Sequence, residues 1–160
     1  MLKKISYLLI IFVLMNCSSN DDSSEKITPV NSTHLLWGKW NIKKIENSDG
    51  ASLYNECDIS DLYVEFLKEN AVWRRARINN NGCASSNYNY YDWIVNSNVG
   101  YVDLYSQGTA GSSYRHCEAD LIGDNGLRLC IVQIRNGESS EVISTIPVAE
   151  REYYYFTKTN

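Results

Sequence analysis

From Trp37 to the C-terminus, apolar and polar residues alternate in short runs, each closed by a cluster of Gly, Asn, Asp or Ser. The period of two is clearest in Leu62-Tyr63-Val64-Glu65-Phe66, where Leu62, Val64 and Phe66 share one face, and in Tyr101 to Tyr105, where Val102 and Leu104 do. Such alternation marks strands with one buried and one wet face. Tyr, Trp, Val and Ile, which suit a half-buried pleated surface, fill the runs. The pattern predicts strands near Trp37 to Glu46, Asp61 to Lys68, Ala71 to Ile78, Tyr88 to Asn96, Gly100 to Ser106, Tyr114 to Ile122, Leu127 to Arg135 and Glu152 to Lys158. No amphipathic helix of ordinary length competes with them. Tight connections at Glu69-Asn70, Ser97-Asn98 and Gly123-Asp124-Asn125-Gly126 make successive strands antiparallel neighbours. Glu141 to Ile146 has strand character, but Pro147 removes a ladder donor and confines it to an edge or a loop. Asn136 to Ala149 is therefore read as a long loop. A twisted meander of eight strands must hide two edges, and closing on itself removes both. The predicted fold class is all-β, an antiparallel up-and-down eight-stranded barrel.

The first residues follow a different pattern. Lys3 and Lys4 precede an uncharged apolar run from Tyr7 to Met15, the layout of a secretory signal peptide. The run is roughly half the ~20 apolar residues needed to cross a bilayer as a helix. Leu14-Met15-Asn16-Cys17 resembles a lipobox, at which bacteria acylate the Cys thiol and cut before it, although Asn16 is larger than the usual Gly, Ala or Ser. Residues 1–16 are thus read as a lipoprotein signal peptide and Cys17 as a lipidation site carrying acyl chains such as palmitate. Residues 17–34 are polar and lack apolar periodicity, and are read as a flexible lipidated tether. Residues 35–160 are the barrel domain. The lipid bilayer, reached through acylated Cys17, is the first expected partner. Ser18-Ser19-Asn20-Asp21-Asp22 resembles the acidic tag of surface-exported lipoproteins, so an outer membrane location is expected, with the cell surface favoured over the periplasmic side.

Composition narrows the partners. Removing Lys3 and Lys4 takes fifteen basic side chains to thirteen against nineteen acidic ones, a formal charge of about −6. A phosphate-tracking surface needs the opposite sign, so nucleic acid is not an expected partner. Setting Cys17 aside leaves Cys57, Cys83, Cys117 and Cys130, an even number that implies two disulfides in an oxidising compartment. Chain order favours Cys57 with Cys83 and Cys117 with Cys130, with the other pairings open. A two- or four-residue turn near Gly123 to Gly126 would put Cys117 and Cys130 on one face, whereas a three-residue turn would put them on opposite faces. The spacings lack a short Cys-x-x-Cys pair and only His34 and His116 are present, so no metal and no cofactor is expected.

The order of several motifs is similar to that of lipocalin-like (calycin-type) domains. "LLWGKWNIKKI" from Leu35 to Ile45 resembles their Gly-x-Trp opening, with Gly38 and Trp40 in the matching positions. Cys57 before "LYVEFLKENAVWRR", "YYDWIVNSNVGYVDLY" from Tyr90 to Tyr105, and "REYYYFTK" resemble the first hairpin, the middle hairpin and the closing strand. In that family the opening Trp closes the barrel floor beneath an Arg of the last strand. Here Arg151 stands seven residues before Lys158, roughly 23 Å along an extended strand, so Lys158 takes the Arg position.

The resemblance implies non-catalytic binding of a small hydrophobic or amphipathic ligand inside the barrel. Candidate lining residues are Trp40, Ile42, Leu62, Val64, Phe66, Trp73 and Trp93. A two-residue turn at Glu69-Asn70 would place Phe66 opposite Trp73 and Glu65 opposite Arg74. Arg75 and Arg77 then share the inward face of Trp73, where they either line a wet mouth that takes an anionic head group or are turned outward by a bulge. A barrel filled by its own side chains, serving a protein partner of unknown identity through its twelve tyrosines, is the alternative. No nucleophile elbow, metal-protease helix or phosphate loop occurs, and His116 reads as an outer-face residue and His34 as part of the tether. An enzyme is therefore not expected.

Overall fold

A computed structural model describes residues 25–55, 57–75, 77–79, 82–84, 88–96, 100–107, 114–135 and 143–159, the side chains of 77–84 excepted. The signal peptide, Cys17 and the Ser97-Asn98 turn lie outside these residues.

The strands are β1 (Ile27–Pro29), β2 (Gly38–Glu46), β3 (Tyr63–Phe66), β4 (Ala71–Arg74), β5 (Arg77–Asn79), β6 (Gly82–Ala84), β7 (Tyr88–Asn96), β8 (Tyr101–Ser106), β9 (Tyr114–Ile122), β10 (Gly126–Arg135), β11 (Ser144–Thr145) and β12 (Tyr153–Lys158). A single helical turn, α1 (Thr33–Leu36), precedes β2. Strands β2, β3, β4, β7, β8, β9, β10 and β12 pair antiparallel in chain order, and β12 returns to β2. The result is a closed, up-and-down eight-stranded barrel, the architecture of lipocalin-like domains. Its floor carries the tight turns, and its mouth carries the longer connections after β2, β4, β8 and β10.

Alternation along the strands builds the core. Val64 and Phe66 of β3, Val102 and Leu104 of β8, Cys117 and Ala119 of β9, and Leu127 and Leu129 of β10 all point inward and are buried. Residues between them face outward, as in the Arg128–Asp120 pair at 2.6 Å on adjacent strands.

Two short strands finish edges that the barrel leaves open. β9 runs beyond its pairing with β8, which stops at Tyr101 opposite Glu118, and β1 occupies the remaining edge from Asp120 to Ile122. Beyond the last pair of β10 with β12, at Cys130 and Tyr153, β11 continues the ladder opposite Gln133 and Ile134. This short edge strand stops before Pro147, the limit that the missing proline donor imposes.

Several expectations are corrected. The tether does not extend to residue 34: Ile27–Pro29 is a strand, Val30 is fully buried in the core, and His34 lies in α1 sharing a 2.6 Å hydrogen bond with Ser32. The first hairpin turns through Leu67 to Asn70 instead of two residues, so Val64 faces Trp73 and Tyr63 faces Arg74. The shift of two preserves which side chains point inward, and Arg74 pairs with Asp61 at 3.4 Å, not with Glu65.

The Cys117–Cys130 disulfide does not form. The β9–β10 turn has three residues, which places Cys117 inward opposite Ile131 and Cys130 outward opposite Glu118 and Tyr153. Both are free, buried thiols, and burial pushes Cys117 up to about 12 and Cys130 up to about 11, so each stays protonated at neutral pH. Cys57 is disulfide-bonded, while the side chain of Cys83, its expected partner, lies outside the described residues.

Gly100 ties β1 to the barrel. It has φ +72°, and a Cβ there would stand 2.7 Å from the Pro29 Cβ, whereas Gly123, at φ +57°, has open space around it. Gly123→Ala is expected to cost about 1 kcal/mol for the left-handed backbone alone. Gly100→Ala should cost at least about 2 kcal/mol, because Pro29 must also move. Equal losses in denaturant unfolding would show that β1 is not seated against Gly100.

Candidate functional site

The floor is filled by packed side chains. Trp40 of β2 is 1% exposed and donates from Nε1 to the Leu36 carbonyl at 2.7 Å, so α1 lies across the barrel end. Lys158 of β12 stands directly opposite Trp40, its Nζ 4.9 Å from the ring centroid. The last-strand cation that the resemblance implies is therefore present as Lys. Gly38, at φ +107°, takes a backbone conformation that side-chain-bearing residues rarely adopt, while a Cβ there would only reach ordinary contact, 3.8 Å, with the Lys158 Cε.

Of the residues read as lining the interior, Trp40, Ile42, Leu62, Val64, Phe66 and Trp73 are between 0% and 7% exposed. Trp93 is partly buried, packs on Phe66 with ring centroids 4.8 Å apart, and donates to the Leu67 carbonyl at 2.8 Å. Trp40, Val64, Phe66 and Trp93 are thus packed at the floor, and Trp73, with its ring 5.2 Å from that of Tyr154, marks the upper layer.

Above that layer the interior becomes polar. Arg75 follows the last residue of β4, and its guanidinium carbon lies 5.4 Å from the Trp73 ring centroid. Arg115 precedes Cys117 by two on the inward face of β9, and its guanidinium carbon lies 5.4 Å from the Tyr91 centroid. Tyr91 itself is fully buried on β7. Its hydroxyl and the Trp73 Nε1 are buried without a hydrogen-bond partner among the described residues. At the rim, Tyr54 donates to Glu152 Oε1 at 2.7 Å and Tyr154 donates to Glu152 Oε2. Tyr54 has φ 60°, an uncommon conformation for a bulky residue, and strain of this kind concentrates at binding sites.

The electrostatics follow from this layout. Burial holds the Arg115 guanidinium below its usual range; the nearby Tyr91 hydroxyl opposes that shift and the positive charge of Arg75 adds to it. Burial raises the Tyr91 hydroxyl even though both arginines pull it down. Tyr54 and Tyr154 are raised first by burial and further by the Glu152 carboxylate.

Arg75 thus lies in the mouth, one of the two placements open to it, whereas the side chain of Arg77, on β5, lies outside the described residues. Arg115 is the site residue that the strand pattern did not single out. Its signal was present: His116, Glu118 and Asp120 alternate on the outer face, which turns Arg115 inward with Cys117 and Ala119. His116 is indeed on the outer face, held 2.5 Å from Asp103 and stacked on Tyr101 with centroids 4.3 Å apart.

A separate recess of about 380 Å³ lies outside the barrel, between Lys43 and Lys44 and the Ile122–Gly126 turn. Lys44 is already paired with Glu46 at 2.7 Å. Among the described residues no helix is long and apolar enough to cross a membrane, and no group of three or more His, Cys, Asp or Glu side chains is placed to hold a metal ion.

Comparison with known proteins returns no matching family model, curated protein or solved structure. The class of the fold therefore rests on the closed eight-stranded topology and the Trp40–Lys158 floor.

A buried hydroxyl without a partner costs free energy. In the ligand-free protein Tyr91→Phe is expected to raise stability by about 1 kcal/mol. A loss of stability in thermal or denaturant unfolding would mean that the hydroxyl is satisfied in the empty barrel.

Proposed function

We propose that this chain is a membrane-anchored, lipocalin-like binding protein that holds a small amphipathic molecule in the mouth half of its barrel without catalysis. The observation that carries this reading is a pair of buried polar atoms, Tyr91 Oη and Trp73 Nε1, that have no hydrogen-bond partner among the described residues and lie where the apolar core gives way to the polar mouth. Native interiors leave few such groups unpaired, and those that occur in a concave site point to an absent partner. The filled floor limits the depth of the ligand, so it enters from the mouth and stops at Trp73.

Anchoring through acylated Cys17, with the barrel facing the outside of the outer membrane, is the second part of the proposal. It is supported by the apolar run that ends at a Cys and by the polar residues between Cys17 and the first described strand.

A second reading, docking of a protein partner, is supported by the outer face of β7. There Tyr88, Tyr90 and Ile94 are 53%, 54% and 59% exposed. Exposed aromatic stripes of this kind are enriched at interfaces.

Native mass spectrometry of the full-length chain, extracted from its own membrane and exchanged out of detergent, is expected to show a co-purifying small molecule at one per chain. Repeated recovery of the bare chain would contradict the binding reading. Cys17→Ser is expected to abolish labelling by a palmitate analogue and release the protein from the membrane fraction. A variant that stays lipid-labelled and membrane-bound would remove the anchor.

A further inference from the structure

The chain from Cys17 reaches the barrel at its floor. Strand β1 pairs Ile27 with Ile122, the last residue of β9, and the Gly123 N–H of the floor turn donates to the Lys26 carbonyl at 3.0 Å. Glu25 and Lys26 therefore stand at the floor rim, and Cys17 lies eight residues before Glu25. That length of chain spans at most about 29 Å when fully extended.

The height of the barrel decides what such a tether allows. Strand β9 has nine residues from mouth to floor. At the rise of an extended strand it covers about 27 Å, or roughly 21 Å along the axis at a tilt of about 40°. With the floor toward the bilayer, the whole tether is available to reach the acyl chains. With the mouth toward the bilayer, most of it would have to run beside the barrel wall near full extension, a loss of backbone freedom that opposes this orientation.

The surface at the floor suits contact with lipid. Trp37 is 46% exposed, and it bridges to Phe66, the residue before exposed Leu67. Exposed Ile94 follows Trp93, whose Nε1 donates to the Leu67 carbonyl, and exposed Ile27 stands across the rim against β9. Trp favours the boundary between head groups and acyl chains, where its amphipathic ring is half solvated, and aliphatic neighbours gain by leaving water there. Charge does not supply the attraction, because exposed Lys26 and Lys68 stand among exposed Glu25, Glu69 and Asp124. The mouth end also exposes Ile143 and Val148, so apolar exposure alone does not choose between the ends; the position of the tether does.

We propose that the floor end of the barrel docks on the surface of the anchoring bilayer through Trp37, Leu67, Ile27 and Ile94, and that the mouth opens away from that membrane. This inference rests on the reading of Cys17 as the acylated anchor. It implies that the barrel exchanges ligand with the aqueous side and not with the bilayer beneath it.

The test uses the full-length chain, extracted from its own membrane and reconstituted into phosphatidylcholine vesicles with or without bromine on the acyl chains. Trp37 supplies the probe, because Trp40, Trp73 and Trp93, the other three tryptophans, are buried or partly buried. Brominated lipid is expected to quench part of the tryptophan emission, and Trp37→Phe should remove that part. Leu67→Ser, at an exposed position where substitution costs the fold little, should reduce the quenching. Val148→Trp, placed in the Trp37→Phe background as a reporter at the mouth, should add emission that brominated lipid leaves intact. If the chain floats with the vesicles and Trp37 is not quenched, or the mouth reporter is quenched in its place, docking by the floor is overturned while the anchor stands. Quenching that appears only after phosphatidylglycerol is added would overturn the apolar contact. A chain that does not float with the vesicles removes the anchor, and the docking with it.

Discussion

Pairing of β12 with β2 closes the sheet, and most of the other features follow from that closure. An open eight-stranded sheet would expose two unpaired edges and one large apolar face; the closed one has an inside and an outside. Each barrel strand then contributes every second residue to a narrow interior, which is why Trp40, Phe66, Leu104, Leu127 and Phe156 meet although they come from five different strands. The same pairing sets Lys158 over Trp40, so the ladder that closes the sheet also seals the floor. Where neighbouring strands differ in length, the closure is incomplete, and β1 and β11 cover the residual edges of β9 and β10.

The division of the interior into an apolar floor and a polar mouth has a topological cause. Tight turns at the floor bring apolar strand ends together and leave little room. Mouth connections are longer, and the residues beside them, Tyr54, Arg75, Arg115 and Glu152, belong to strand ends and loops that the packing does not force to be apolar. Polar atoms buried there cost stability in the empty protein. A ligand that satisfied them would recover that cost.

The barrel strands were legible because alternation with one wet face is a strong local signal: Tyr88–Asn96 and Tyr114–Ile122 are bounded as the pattern predicts. The β1 strand was not legible. It has three residues, ends in Pro29, and makes its contribution through a single buried residue, Val30, in a segment whose composition is polar. The Lys158–Trp40 contact could be placed because antiparallel pairing of the first and last strands fixes which residues meet. The first hairpin misled, since Glu69-Asn70 has turn chemistry yet the turn begins at Leu67, and only tertiary pairing of Val64 with Trp73 fixes the register. Arg115 shows a different limit. An arginine among core-facing positions reads as an exception to the pattern until the Tyr91 ring, distant in sequence, is found beneath its guanidinium.

The proposal turns on whether the polar mouth half of the closed barrel takes a ligand. A crystal structure of the full-length chain, purified from its native membrane and solved at a resolution that resolves ordered water, tests it most directly. Density of a bound molecule in the mouth half of the barrel, its polar end in reach of the Tyr91 hydroxyl or the Trp73 Nε1, is the result this account predicts. A mouth closed by its own side chains, with the Tyr91 hydroxyl and the Trp73 Nε1 bonded to protein groups, would contradict it.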